Sequence, residues 1–212
     1  MYEFILFLLI YLSLFIGIEI LQKLIFNKSL WARKATHILS SIVTFFLPDF
    51  FSVNEIYLIS LIFMVFLGIT KWKKLLSLHN VKRQTLGEII YPFSVLTMAF
   101  LFLPNNQLSF KVGILVLGFS DGLAGWIGEK LNYGVVSIFR HKKSFGGSIT
   151  FFISTCFIFF IFFGIEENIL HLFGIAVLIT LVEFFMVFGF DNLAVPVITG
   201  FFIKWLELTF IF

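Results

Sequence analysis

Long apolar runs recur along nearly the whole chain, and several approach the roughly 20 residues that a helix needs to cross a bilayer. Hydrophobic residues make up 60% of the 212 positions and charged residues 13%. A soluble domain of this length could not bury so many apolar side chains, because its surface must be largely polar. We therefore expect an all-α fold, a polytopic membrane helix bundle of about seven or eight transmembrane helices in a single domain over residues 1–212.

The boundaries of the expected spans follow from these runs. The first run, Tyr2 to Phe26, has neither a basic segment before it nor a small-residue cleavage site, so we treat it as part of the mature protein. Two polar connections, Ile69 to Leu86 and Lys130 to Gly146, are expected to lie at the membrane surface. The expected spans are residues 3–25, 35–48, 54–70, 86–103, 111–130, 147–164, 168–188 and 192–210.

Basic residues are distributed unevenly over the loops between these spans. Most of the 15 lysines and arginines lie in one set of alternate loops, whereas the opposite loops carry Asp49, Glu55, Glu166 and Glu167 with Lys111. Because Lys and Arg concentrate on the cytoplasmic side, we expect a multi-pass protein of the cell membrane with its N-terminus outside. For most of these lysines, topology and attraction to anionic lipid are a sufficient explanation.

Acidic residues also occur within the apolar spans or at their ends, where an ionised carboxylate is costly. All of them except Glu19 fall toward the expected cytoplasmic ends, on the same side as the basic loops. Buried carboxylates usually face a bundle interior or a water-filled cavity. We therefore expect one site to be formed by residues from Glu88, Asp121, Glu183 and Asp191.

The segment GFSDGLAGWIGEKLN, residues 118–132, surrounds a carboxylate with small residues. On a helix, Asp121, Ala124, Gly125 and Gly128 share one face. The spacing of the glycines is typical of close packing between membrane helices, but such packing does not require a carboxylate. We therefore expect Asp121 to belong to a binding site.

The stretch RHKKSFGGSITFF, residues 140–152, combines cationic side chains with glycines where an apolar span begins. At the start of a helix the backbone amides are unpaired and the helix dipole is positive, which together favour anions. The Walker A order is absent, and a basic surface turn with a helix-starting serine is the alternative explanation. The expected phosphate-binding residues are Lys142, Lys143, Ser144, Gly146, Gly147 and Ser148.

The apolar run VEFFMVFGFDNLAVPVITG, residues 182–200, is interrupted by Asp191 and Asn192, with Pro196 following. Such a break indicates an interrupted helix or a helix start against protein or water. Asp191 could act as an N-cap. With Asn192 it could also supply oxygen ligands for Mg²⁺, which prefers one or two carboxylates together with phosphate oxygens. Glu183 lies deeper in the run, where a structural explanation is harder to find.

Two further segments place polar residues four positions apart. In RKATH, residues 33–37, Arg33 and His37 can face one partner together. A single interfacial histidine is usually structural, so His37 alone indicates little. In RQTLGEIIYP, residues 83–92, Glu88 lies beside Tyr91 and needs a reason for its burial.

Taken in chain order, these motifs resemble those of the CTP-dependent lipid-alcohol kinases, which include dolichol kinase, phytol and farnesol kinases, and the CTP-using diacylglycerol kinase. The matching pieces are R-K-A-T-H, L-G-E-I-I-Y-P, G-F-S-D-G-L-A-G-W-I-G, K-K-S-F-G-G-S and D-N-L-A-V-P. Dolichol kinases typically have Glu at the position of Gly146, which favours the phytol and prenyl-alcohol branch. Phytol-kinase-like members often have Asp at the position of Phe190, so one metal ligand of that branch is missing here.

The resemblance implies transfer of a phosphoryl group from CTP to the hydroxyl of a lipid alcohol, with Mg²⁺. The alcohol would be phytol, farnesol, geranylgeraniol or dolichol-like, or diacylglycerol. The partners would be this lipid and the nucleotide, with no nucleic acid, and the active site would face the cytoplasm. Phosphoryl transfer depends on positioning and charge neutralisation more than on covalent chemistry.

Roles for the residues follow from the resemblance. Asp121 and Asp191, helped by Asn192, would hold the metal, and Glu88 or Glu183 would orient or deprotonate the hydroxyl. Lys143 would act in catalysis as well as on the phosphates. The remaining assignments are Arg33, Lys34 and Arg83 at the nucleotide rim, and His37 and Tyr91 at the lipid headgroup.

Two other functions share these features. A phosphatidate-cytidylyltransferase-like enzyme would use the same membrane setting, CTP and metal, but would release pyrophosphate and form a CDP-lipid. An ion- or proton-coupled transporter would also carry intramembrane carboxylates. Transporters often show paired broken helices in inverted repeats, whereas this sequence has one clear break, at Asp191.

Overall fold

The computed structural model describes residues 2–21, 29–73, 86–131, 133–138, 141–164 and 169–210, and most of these are helical. The helices are α1 (Tyr2–Leu21), α2 (Ser29–Phe45), α3 (Leu47–Phe50), α4 (Val53–Trp72), α5 (Gly87–Phe102), α6 (Gln107–Leu115), α7 (Asp121–Leu131), α8 (Phe145–Phe163), α9 (Ile169–Phe185) and α10 (Asp191–Phe210). A π-helical segment, Val116–Ser120, joins α6 to α7.

Each expected span overlaps one of these helices or, for residues 35–48 and 111–130, a consecutive set. By length and composition, Val53–Trp72, Gln107–Leu131 and Phe145–Phe163 could cross a membrane, and α5 and α9 are shorter apolar helices. The helical class and the presence of membrane-length helices are therefore confirmed. The count of seven or eight spans stays a prediction.

The connection before α8 contains a β-hairpin, so the all-α expectation is wrong for this segment. Strand β1 (Val135–Ile138) pairs antiparallel with β2 (His141–Ser144), with Val136 opposite Lys143. Gly134 precedes the hairpin with φ +61°, a conformation that glycine adopts without strain. Because side chains alternate across a strand, neighbouring residues of β2 point to opposite faces. Lys142 is accordingly exposed, whereas Lys143 is partly buried.

Glycines allow α2 and the α6–α7 unit to pack closely. A Cβ atom on Gly118 would overlap Ser41, and one on Gly122 would overlap Ile38. Gly125 contacts the side chain of Lys34, one turn earlier on α2. Helix α2 begins at Ser29, before the expected span of residues 35–48. It therefore includes the polar RKATH segment.

A different glycine forms the contact between α7 and α8. A Cβ on Gly128 would lie 2.8 Å from the Cα of Gly147, so the two backbones meet there. Gly125 lies three positions earlier on the same helix, and a Cβ there would meet Lys34 of α2 instead. Small residues on both sides thus place α7 between α2 and α8.

Two hydrophobic cores lie on either side of this central unit. One joins α1, α4 and α5 to α6, and its fully buried members include Ile56, Met98 and Phe110. The other joins α8, α9 and α10, with Phe151 and Ile179 fully buried. Both cores include buried residues of α6, and the π-helical segment directly precedes Asp121.

Candidate active site

Three carboxylates from distant parts of the chain converge where α7 and α10 begin and α9 ends. Asp121 begins α7, Glu183 lies in the last turn of α9 and Asp191 begins α10. One carboxylate oxygen from each lies within 4.8 Å of the others. The Glu183 side chain is only 7% exposed. We call Asp121, Glu183 and Asp191 the acidic triad.

A strained turn between α9 and α10 places Asp191 in the triad. Phe188 has φ +61°, unusual for a residue other than glycine, and Gly189 has φ +94°. A Cβ on Gly189 would lie 2.5 Å from the backbone nitrogen of Gly87, so the turn packs directly on the start of α5. Asn192 donates its side-chain amide to the Gly87 carbonyl at 2.7 Å. These contacts hold the start of α10 against α5.

Lys143 inserts its ammonium group into the acidic triad. The ammonium donates to a carboxylate oxygen of Glu183 and, at 2.8 Å, to the Glu183 backbone carbonyl. It also lies 3.6 Å from Oδ2 of Asp191. Burial acts to lower the pKa of Lys143, but the negative charges of Glu183, Asp191 and Asp121 outweigh burial and raise its pKa above the ordinary value. The ammonium is therefore held charged among the carboxylates.

His37 approaches the triad from α2. Its Nε2 atom lies 3.5 Å from Oδ2 of Asp121, and its ring contacts Tyr91 edge-on at a centroid distance of 5.1 Å. The Tyr91 hydroxyl donates to Thr44 Oγ1 at 3.3 Å, in a polar cluster that also includes Tyr11. A cavity of about 30 Å³ adjoins this cluster. His37 thus links the triad to the buried hydroxyls, and the lipid-headgroup role of His37 and Tyr91 stays a prediction.

Two other expected site residues lie outside the triad. Glu88 pairs with Lys71, with Oε2 and Nζ 3.3 Å apart. Lys34 donates to the Gly125 carbonyl and pairs with Glu129 at 2.9 Å. Lys34 therefore lies at the contact between α2 and α7.

The glycines in the first turn of α8 differ from the expected open phosphate cradle. The Gly146 amide donates to the Tyr133 carbonyl at 3.4 Å, and the Gly147 amide donates to Ser144 Oγ at 3.1 Å. Both glycines are buried, and Ser144 is the N-cap of α8. The expectation of unpaired amides is therefore wrong for these two residues, because the hairpin brings acceptors that the sequence pattern did not reveal.

Ser148 and Lys142 lie among the described residues, outside the acidic triad. Ser148 is partly buried, and its hydroxyl lies 3.5 Å from the Ser144 carbonyl. Lys142 points away from Lys143 on the other face of β2. The side chain of Arg33 and the whole of Arg83 lie outside the described residues.

Sequence reasoning did not identify the direct pairing of Lys143 with Glu183. Glu183 is a single carboxylate in an otherwise apolar run, and such a residue needs a cationic or metal partner. The sequence therefore indicated that a partner exists. The 40 positions between these residues gave no indication of which cation would serve.

The chain is similar to a known enzyme along part of its length. The chain is 29% identical over 126 residues to a phytol kinase from Synechocystis sp. (strain ATCC 27184 / PCC 6803 / Kazusa), an alignment that covers 57% of this chain and 54% of that protein. The chain thus matches about half the length of this curated relative. No family model and no solved structure matches the chain.

Proposed function

We propose that the protein is an integral membrane kinase that transfers a phosphoryl group from CTP to the hydroxyl of a prenyl alcohol such as phytol. The observation that carries this proposal is the convergence of the acidic triad with Lys143 in one partly buried site. The similarity to a phytol kinase supports the same reaction class. We further propose that the chain crosses the cell membrane several times with its N-terminus outside and the triad accessible from the cytoplasm.

The donor set of the triad fits a magnesium ion. Mg²⁺ takes oxygen ligands and is usually held by one or two carboxylates together with substrate phosphates. Asp121, Glu183 and Asp191 would hold the ion, which when bound supplies neutralisation of the charge on the transferring phosphoryl group. Asn192 fits this role less well than expected, because its amide already tethers α10 to Gly87.

The residues of the chain would assist transfer by positioning and charge. The lipid hydroxyl oxygen would attack the terminal phosphorus of CTP, the bond from that phosphorus to the bridging oxygen would break, and CDP would leave. Lys143 would contact the phosphate oxygens during this step. Of the two carboxylates considered for accepting the hydroxyl proton, we favour Glu183, because it belongs to the acidic triad at the proposed metal site, whereas Glu88 pairs with Lys71 outside the triad.

A product assay tests the proposal directly. Purified protein in lipid nanodiscs would be supplied with labelled CTP or ATP and with phytol, farnesol, geranylgeraniol, a dolichol-like alcohol or diacylglycerol. We expect a lipid monophosphate and CDP from a prenyl alcohol. Pyrophosphate with a CDP-lipid would indicate the cytidylyltransferase reaction instead. If a folded preparation yields no product with any alcohol and nucleotide, both the kinase and the cytidylyltransferase hypotheses are contradicted.

A further inference from the structure

The ammonium of Lys143 lies where the proposed function places a divalent cation. It contacts Glu183 directly and lies 3.6 Å from Asp191, two of the three residues whose oxygens could hold a metal. A divalent ion bound by the same oxygens would be close to the ammonium, and like charges at such a distance repel strongly in a partly buried site. The metal and the ammonium therefore compete for the same negative charge.

The hairpin restricts how this competition can be resolved. Lys143 is paired with Val136 in the β-ladder, and the next residue, Ser144, caps α8. Its backbone is therefore held, whereas the four-carbon stem of its side chain has rotatable bonds through which the ammonium can move. An ammonium leaving a buried anionic group needs another anion nearby, and a nucleotide phosphate would supply it.

We propose that Lys143 couples metal binding to nucleotide binding by occupying the acidic triad until a nucleotide phosphate draws its ammonium away. This inference rests on the proposed function. It predicts weak affinity for the divalent ion alone and stronger affinity when nucleotide is present. By thermodynamic reciprocity the metal must raise the nucleotide affinity by the same factor.

Manganese binding measured by electron paramagnetic resonance tests the first part, with no nucleotide present. In Lys143→Met the competing charge is gone, so we expect the Mn²⁺ affinity to rise about tenfold or more. Lys143→Arg keeps the charge and should remain close to the unchanged protein. Lys142→Met removes a neighbouring charge from the opposite strand face and should also remain close to it. An unchanged or weaker Mn²⁺ affinity in Lys143→Met would overturn the inference.

A second titration with CDP present tests the coupling. After correction for Mn²⁺ held by CDP in solution, CDP should raise the Mn²⁺ affinity of the unchanged protein, and this gain should shrink in Lys143→Met. An equal gain in both proteins would contradict the coupling. Thermal unfolding in detergent, measured for each variant, identifies any preparation that is not folded.

The double variant Lys143→Met/Asp121→Asn separates this inference from the proposed function. If the triad holds the metal, this variant should lose most of the Mn²⁺ binding of Lys143→Met. Retention of that binding would mean that the metal lies elsewhere, and both proposals would fail. Loss of binding, together with an unaltered affinity in Lys143→Met alone, would reject the coupling and leave the metal site standing.

Discussion

The two ends of α10 lie beside charged groups that are paired in different ways. At its start, three carboxylates face one ammonium, and Asp191 and Lys143 are only 18% and 16% exposed. Toward its end, Glu207 accepts a hydrogen bond from Asn106. Nearby on α6, Lys111 contacts both carboxylate oxygens of Asp49, at 2.6 and 2.7 Å. The start of α10 thus lies in a concentration of carboxylates, whereas near its end Asp49 is paired with Lys111 and Glu207 accepts from a neutral amide.

This difference distinguishes a binding site from a structural ion pair. The Asp49–Lys111 pair is balanced, and the Asp49 side chain is 36% exposed, so solvent also stabilises its carboxylate. In the acidic triad, like charges are held together with little solvent, which costs free energy unless a ligand compensates. An excess of buried charge of one sign therefore indicates a ligand better than the presence of charge alone.

The largest expected effect is on turnover in Asp121→Asn. Loss of one triad carboxylate should reduce kcat by about a hundredfold or more, because it removes charge that the proposed metal needs. Asp49→Asn, at the other end of the bundle, serves as the control and should retain turnover within about twofold. Near-normal turnover in a folded Asp121→Asn protein would show that the site is misplaced.

Replacement of Lys143 by alanine should also abolish most turnover, by about a hundredfold, because the phosphate loses its ammonium contact. The loss should appear even though the metal affinity of the protein rises. Lys142→Ala, on the outer strand face, should cause a smaller loss, within about tenfold. Initial rates at saturating CTP and alcohol measure both variants. Equal losses would mean that the two strand faces do not differ in function.

The two candidate proton acceptors can be separated by amide substitutions. Glu183→Gln should lower both turnover and Mn²⁺ binding, since Glu183 belongs to the triad. Glu88→Gln should keep Mn²⁺ binding and lose about tenfold or less in turnover, because Glu88 pairs with Lys71. The reverse order of kcat losses would assign the proton acceptor to Glu88.

A smaller effect is expected on stability from the glycine contact behind the triad. In Gly128→Ala the new methyl group would meet the Gly147 backbone, which cannot move aside as a side chain can. We expect about 1–3 kcal/mol of destabilisation, measured by unfolding in detergent. Gly174→Ala, in a helix with open space around it, should be neutral or stabilising. Equal stability of the two variants would contradict the close packing.

The smallest effect should follow from breaking the balanced pair. Lys111→Met should change the free energy of unfolding by about 0.2–1 kcal/mol, because a partly exposed ion pair contributes little. Turnover should be unaffected. A loss of activity in this variant would mean that the two ends of α10 are functionally connected.

Several features were predictable because they depend on local composition. The helices follow the apolar runs, and Gly118, Gly122 and Gly128 do pack against neighbouring helices as the small-residue spacing indicated. The β-hairpin was not predicted, because strands of four residues carry too weak a pattern within a polar connection. The buried amides of Gly146 and Gly147 were missed for the same reason, since their acceptor Tyr133 and cap Ser144 depend on that hairpin and on the start of α8.

The amino-acid sequence by itself determined that the chain forms membrane-length helices and that carboxylates lie within them, because hydrophobicity and the cost of buried charge are properties of each segment. Only the tertiary structure decided which charges meet. It separated Glu88 from the triad, joined Glu183 to it and aimed Lys143 rather than Lys142 inward. These outcomes depend on helix rotation, on the turn at Gly189 and on strand alternation, which are set by packing between segments far apart in the chain.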